Sequence, residues 1–95
     1  MNKYEVIFIV KPDLEEAAIT KEADAMKKVL TGKKAKIVEE KAWGQKELAY
    51  EIRKYKTGYY FYYLIEANSK AIDEFDRLAK INENLLRSLI IRVEE

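Results

Sequence analysis

A chain of 95 residues accommodates one domain, expected to span residues 1–95, and leaves no room for a second of ordinary size. Its 48% hydrophobic and 37% charged residues argue against disorder, no apolar run approaches the roughly 18 residues of a membrane-spanning helix, and the absence of Cys excludes a disulfide framework and suits a reducing compartment. A formal net charge of +1 supplies no overall attraction to nucleic acid, so any phosphate contact must be local.

The opening Met1-Asn2-Lys3-Tyr4 runs directly into a charged strand pattern instead of a signal peptide. Tyr4, Val6, Phe8 and Val10 alternate with Glu5, Ile7 and Ile9, a period of two with apolar groups on both faces. Lys11-Pro12-Asp13 ends this strand, and Asp13 with Glu16 has the spacing of a capping box. Ile19, Ala23, Met26 and Leu30 then recur at spacings of four, three and four. That pattern predicts a helix with one apolar stripe, closed at Gly32 by glycine's access to the left-handed conformation.

A second strand is predicted to start near Lys34, where Ile37 and Val38 lead into Glu39, Glu40 and Lys41, charges that suit a sheet edge. Trp43-Gly44 marks a bend or bulge, after which Leu48, Tyr50 and Ile52 resume the alternation. Lys54 to Gly58 is a turn candidate, and Tyr59 to Ile65, apolar on both parities, has the pattern of a central strand. Asn68 or Ser69 caps a second helix with Ile72, Phe75, Leu78 and Ala79 on its apolar side, and Asp73, Glu74 and Asp76 before Lys80 complement its dipole. Leu85 to Val93 supplies the last strand. The order βαββαβ with right-handed crossovers predicts an α/β two-layer sandwich of the α+β class. This is the ferredoxin-like arrangement, a four-stranded antiparallel sheet with both helices on one side.

Two helices seal only one face of such a sheet. Assigning Val6, Phe8, Val10, Phe61, Tyr63 and Ile65 to the core leaves Ile7, Ile9, Tyr60, Tyr62 and Leu64 on the other side. The opposite choice exchanges the two sets, and the parity of the last strand does not decide between them. Tyrosines can lie flat on a solvated sheet, but burying one Leu or Ile against a partner contributes about 1.5–3 kcal/mol. A contiguous apolar patch marks a binding surface, so Ile7, Ile9, Tyr60, Tyr62 and Leu64 form the expected protein-partner interface.

Catalytic chemistry finds little support. The chain has no His and no Cys, carries no phosphate-cradling glycine motif, and its adjacent Glu39 and Glu40 would point to opposite faces of a regular strand. No catalytic residue, metal site or cofactor is expected, which leaves a binding module. Stacking of single-stranded RNA on Tyr60 and Tyr62 is a competing use of the open face, worth about 1–3 kcal/mol per base. The chain nevertheless lacks the basic-Gly-aromatic-Gly pattern of the common sheet-based RNA module.

Charge is unevenly distributed. Between Lys41 and Lys56, the cations Lys41, Lys46, Arg53, Lys54 and Lys56 outweigh Glu47 and Glu51 by three, whereas the preceding residues balance to zero and the following ones to minus two. Within this segment, Trp43-Gly44-Gln45-Lys46-Glu47-Leu48-Ala49-Tyr50-Glu51-Ile52-Arg53 resembles the signature of the bacterial small ribosomal subunit protein S-six family. That signature has a glycine, then a basic residue, a polar residue, Leu-Ala-Tyr, one variable position, Ile and a basic or small polar residue. Lys3-Tyr4-Glu5-Val6, Lys11-Pro12-Asp13, Gly58-Tyr59 and Lys80-Ile81 through Leu86-Arg87 resemble the family too, so the likeness covers nearly the whole chain.

The resemblance implies a structural constituent of the small ribosomal subunit in the cytoplasm. It implies binding to the central domain of 16S ribosomal RNA together with ribosomal protein S-eighteen, the companion covering an apolar surface. Lys46 matches the basic position of the signature and Arg53 its final position, and both are expected to contact RNA, with Lys3 and Arg87 near strand ends as further candidates. Leu48, Tyr50 and Ile52 are expected to orient the hairpin, and Trp43 to pack beside Gly44, with stacking at an interface as the lesser alternative. Many family members have Pro where this chain has Glu51, a change that restores an amide proton to the strand edge. Some members carry a long charged tail, which is not expected to follow Glu95.

Overall fold

The apolar alternation that begins the chain finds partners on both sides. The computed structural model describes residues 2–93; Met1, Glu94 and Glu95, part of the expected domain, lie outside the described residues. Along the chain these residues form β1 (Asn2–Val10), α1 (Glu16–Gly32), β2 (Lys36–Ile52), β3 (Tyr55–Ala67), α2 (Ser69–Ile81) and β4 (Leu85–Val93). The strands make one sheet in the order β2-β3-β1-β4, each neighbouring pair antiparallel. This is the expected ferredoxin-like arrangement, with β1 and β3 inside and the charged β2 at an edge.

The core lies between the helices and one face of the sheet. Val6, Phe8, Val10, Tyr63 and Ile65 are buried there with Phe61 packed alongside, so the first of the two parity choices holds. Phe8 is the hub: its ring stacks on Phe61 at 5.3 Å between centroids and meets Tyr63 at 5.6 Å and Phe75 at 6.1 Å. On α1 the buried residues are the Ile19, Ala23, Met26 and Leu30 of the predicted stripe. On α2, Ala71, Phe75 and Ala79 go in, while Ile72 and Leu78 flank them half-buried.

Local signals were redirected by tertiary partners at several points. The Asp13–Glu16 capping box does not form; α1 begins at Glu16, and its N-cap Glu15 makes no side-chain capping bond among the described residues. Asp13 instead accepts a 2.8 Å hydrogen bond from the Tyr55 hydroxyl and lies 3.8 Å from Lys11 Nζ. The left-handed residue after α1 is Lys34 at φ 66°, not Gly32, and β2 consequently starts two residues later than predicted, at Lys36. Asn68 caps α2 as expected, accepting from the Ala71 amide at 3.0 Å. The acidic residues of α2 lie beyond its first turn and pair sideways, Asp76 with Lys80 at 2.8 Å and Glu74 with Arg77, rather than with the dipole.

The β2–β3 connection also differs from the predicted Lys54–Gly58 turn. Its turn residues are Arg53 and Lys54, both left-handed at φ 47° and 70°, as a two-residue hairpin turn of type I′ requires. Gly58 belongs to β3, opposite Lys46, and its role is steric: a Cβ there would stand 2.4 Å from Ile9 Cγ2. The Trp43-Gly44 bulge is present, with a register shift between Ala42 and Gly44 and Gly44 at φ 80°.

Gly58→Ala is expected to destabilise the fold by about 1–3 kcal/mol, the usual cost of overpacking, lowering the denaturant midpoint with an unchanged slope; wild-type stability would disprove the close packing on Ile9. Burial, aided by the nearby Glu40 and Asp24 carboxylates, pushes the Tyr63 hydroxyl up to about 12. Its contribution is complete below about pH 10, the unfolded value, and is lost as pH rises toward 12, because the unfolded chain releases the phenolic proton first. Denaturant titrations at pH 9 and 11.5 should therefore show a smaller loss of stability in Tyr63→Phe than in the wild type.

Candidate protein and nucleic-acid interface

On the uncovered side of the sheet, strand register sets side chains in rows. Ile7 lies between Tyr62 of β3 and Leu89 of β4, Ile9 between Tyr60 and Arg87, and Glu5 between Leu64 and Ile91. The anticipated set of Ile7, Ile9, Tyr60, Tyr62 and Leu64 is thus brought together on this face. Leu89 and Ile91, each 44% exposed, extend it onto β4. Ile9 differs from the others: only 7% exposed, it is pressed into the space left by Gly58, beside Leu86. The result is an open depression of about 280 Å³ lined by Ile7, Ile9, Trp43, Tyr60, Arg87 and Leu89.

Trp43 reaches this depression because of the bulge. The left-handed Gly44 shifts β2 by one residue, and the Trp43 ring lies on Tyr62 with centroids 5.3 Å apart and planes 15° from parallel. Lys46 Nζ lies 5.1 Å from the Trp43 ring centroid, so the indole contacts both a phenol and an ammonium. Such stacks favour a fixed position for the cation over a freely rotating one. Burial, followed by a hydrogen bond with Glu5, raises the Tyr62 hydroxyl above its ordinary value.

Arg87, on the first part of β4, is held in a similar way. Its guanidinium lies 5.9 Å from the Tyr50 ring centroid, and Nη1 donates to the Tyr50 hydroxyl. Lys46 and Arg87 therefore flank one end of the apolar face. Lys3 belongs to the opposite end, in register with Glu66 and Val93, roughly 20 Å along β1 at the usual rise per residue. Arg53 is turned along the end of the sheet: Nη1 donates to the Glu83 carbonyl at 3.0 Å and Nη2 to the Leu85 carbonyl at 2.6 Å. Of the signature's apolar residues, Leu48 and Ile52 are half-buried, whereas Tyr50 is 59% exposed and makes the contact with Arg87.

Charge changes along the face. By register, Glu5, Glu39 and Glu66 share the far end with Lys3 and Lys36, a mixed population. The hairpin end presents Lys46 and Arg87 beside aromatic rings. Leu89 and Ile91 are not among the expected members of the interface, and for Trp43 the less favoured of the two expected placements is the one that brings it here. An apolar alternation on β4 was visible, but its facing depends on the irregularity between Ile9 and Val10 that displaces Leu86.

A family model described as ribosomal protein S6 matches residues 3–92. Among solved structures, the chain is similar to the 30S ribosomal protein S6 from Thermotoga maritima, with 24% sequence identity, coverage of 97% of this chain and 87% of that chain, and a TM-score of 0.92. That likeness is one of fold, and the family match extends it to the pattern of residues along almost the entire chain. The chain therefore belongs to the ribosomal protein S6 family, structural rather than enzymatic constituents of the small subunit of the cytoplasmic ribosome.

Proposed function

We propose that the chain acts as a single, non-catalytic binding unit over residues 1–95, engaging the central domain of 16S ribosomal RNA together with ribosomal protein S-eighteen. The observation that carries this reading is the juxtaposition on the uncovered face of a continuous apolar strip with a cationic end. Ile7, Tyr60, Tyr62, Leu64 and Leu89 supply the protein-binding strip, with Ile9 forming its floor. Lys46 and Arg87 supply phosphate contacts at the hairpin end, Arg53 lies at the same end with its guanidinium on the Glu83 and Leu85 carbonyls, and Lys3 acts at the opposite end of β1. The small net charge fits a division of labour in which the companion protein brings much of the attraction to RNA.

Stacking of unpaired bases on Tyr60 and Tyr62 fits less well. One face of Tyr62 is already covered by Trp43, whose ring also lies against Lys46. RNA bound by the isolated chain and lost on joint replacement of Tyr60 and Tyr62 would favour that use instead.

Two substitutions separate the protein arm from the RNA arm. Leu89→Glu is expected to leave the fold intact, since Leu89 is 44% exposed, and to weaken binding of ribosomal protein S-eighteen at least tenfold. Trp43, the chain's one tryptophan, reports wild-type docking by a blue shift in its fluorescence. Lys46→Ala is expected to weaken assembly of the protein pair with a central-domain RNA fragment, reducing the slope of log affinity against log salt by about 0.7–0.9. Wild-type binding by Leu89→Glu would remove the strip from the interface; an unchanged salt slope in Lys46→Ala would remove Lys46 from the RNA.

A further inference from the structure

We propose that Arg53 is a positioning residue, a latch that holds the tip of the β2–β3 hairpin across the end of the sheet and so fixes where Arg87 and its neighbours are presented. The proposal rests on the reading above only for its consequence in RNA binding; the latch itself is a property of the isolated chain.

The hairpin needs such a device because its own ladder is interrupted. Paired positions run from Lys36–Glu66 to Glu47–Thr57 and resume only at Ile52–Tyr55, leaving residues 48–51 opposite Lys56 alone. Across this break, backbone pairing does not fix the direction of the tip. Side chains supply what the ladder lacks. Arg53 spans two carbonyls of the segment entering β4, those of Glu83 and Leu85. On either side, the Tyr55 hydroxyl donates to Asp13 in the β1–α1 connection, and Tyr50 accepts from Arg87.

The anchor that Arg53 grips is itself immobilised from behind. The Glu22 carboxylate on α1 accepts from Asn82 Nδ2 and Asn84 Nδ2, both at 2.8 Å. The Asn84 amide donates to Asn82 Oδ1 at 2.9 Å, the Asn84 carbonyl accepts from the Lys11 amide at 2.9 Å, and the Leu85 amide donates to the Asn82 carbonyl at 3.1 Å. Residues 82–85 are thus tied to α1 and to the end of β1, and the Glu83 and Leu85 carbonyls are held where a forked guanidinium can bridge them. A lysine ammonium is a point donor and cannot reproduce that fork. Arg53 also occupies a left-handed turn position, φ 47°.

Amide hydrogen exchange on the isolated chain tests the latch. In Arg53→Ala, amides within 47–57 are expected to exchange at least tenfold faster, while those of Val6, Phe8 and Tyr63 in the central strands keep their wild-type rates. Arg53→Lys, which retains the charge and is the milder change, is expected to give an acceleration of about threefold, in line with the loss of a bidentate donor. Wild-type exchange of the hairpin in both variants would overturn the proposal. In assembly with the RNA fragment and ribosomal protein S-eighteen, Arg53→Ala is expected to weaken binding at every salt concentration with an unchanged salt slope. A slope reduced by about 0.7–0.9 would make Arg53 a phosphate ligand and overturn its assignment as a positioning residue. If Lys46→Ala leaves affinity and slope untouched, the RNA reading of this end fails, and the exchange rates still decide the latch.

Discussion

β1 lies between β3 and β4, sending Val6, Phe8 and Val10 under the helices and Ile7 and Ile9 to the opposite side. A strand so placed has neighbours along both edges, and its central residues must be apolar in both directions. Because α1 and α2 pack on the same side, the demand on one direction is met within the chain, around the rings of Phe8, Phe61, Tyr63 and Phe75. The demand on the other is met only in part, by Ile9 settling onto Gly58 and Trp43 folding over Tyr62. What remains exposed across Ile7, Leu89 and Ile91 is the counterpart of a sheet with helices on one side.

Charge is organised around this apolar strip by geometry more than by quantity. A net charge of +1 cannot draw a polyanion from a distance, yet two cations at one end are oriented by aromatic partners, Lys46 by Trp43 and Arg87 by Tyr50. Holding a side chain in place before binding lowers the entropy lost when it meets its target, about 0.5–1.5 kcal/mol for a long side chain. Membership in a ribosomal protein family is compatible with near neutrality when charge is placed in this way.

Periodicity carried the sequence reading furthest. The α1 stripe of Ile19, Ala23, Met26 and Leu30, the double-sided strands β1 and β3, and the charged edge β2 all emerge because burial imposes a repeat that survives in the order of residues. Where one long-range partner decides the outcome, the local pattern misled. Asp13 has the spacing of a helix cap but pairs with Tyr55, 42 residues away; Gly58 resembles a turn glycine but accommodates Ile9. The same distinction divides the interface. The β1 and β3 members were legible from alternation, whereas Trp43 and the β4 residues depended on bulges that reset parity. The positive charge of Arg53 was visible too, but its commitment to the Glu83 and Leu85 carbonyls was not, since neither backbone acceptor has any mark in the sequence.

The strand order has a bearing on how the molecule is made. The edge of β1 that pairs with β4 joins Lys3 to Val93, so it stays open until β4 has been made. Until then the chain carries an apolar strand lacking one of its two neighbours, while β3 and both helices, which precede β4 in the chain, become available to it first. A nascent chain in that state exposes a pairing edge of the kind that invites association with other strands. Completion of β4 therefore closes the sheet and finishes the β4 side of the partner surface in a single event.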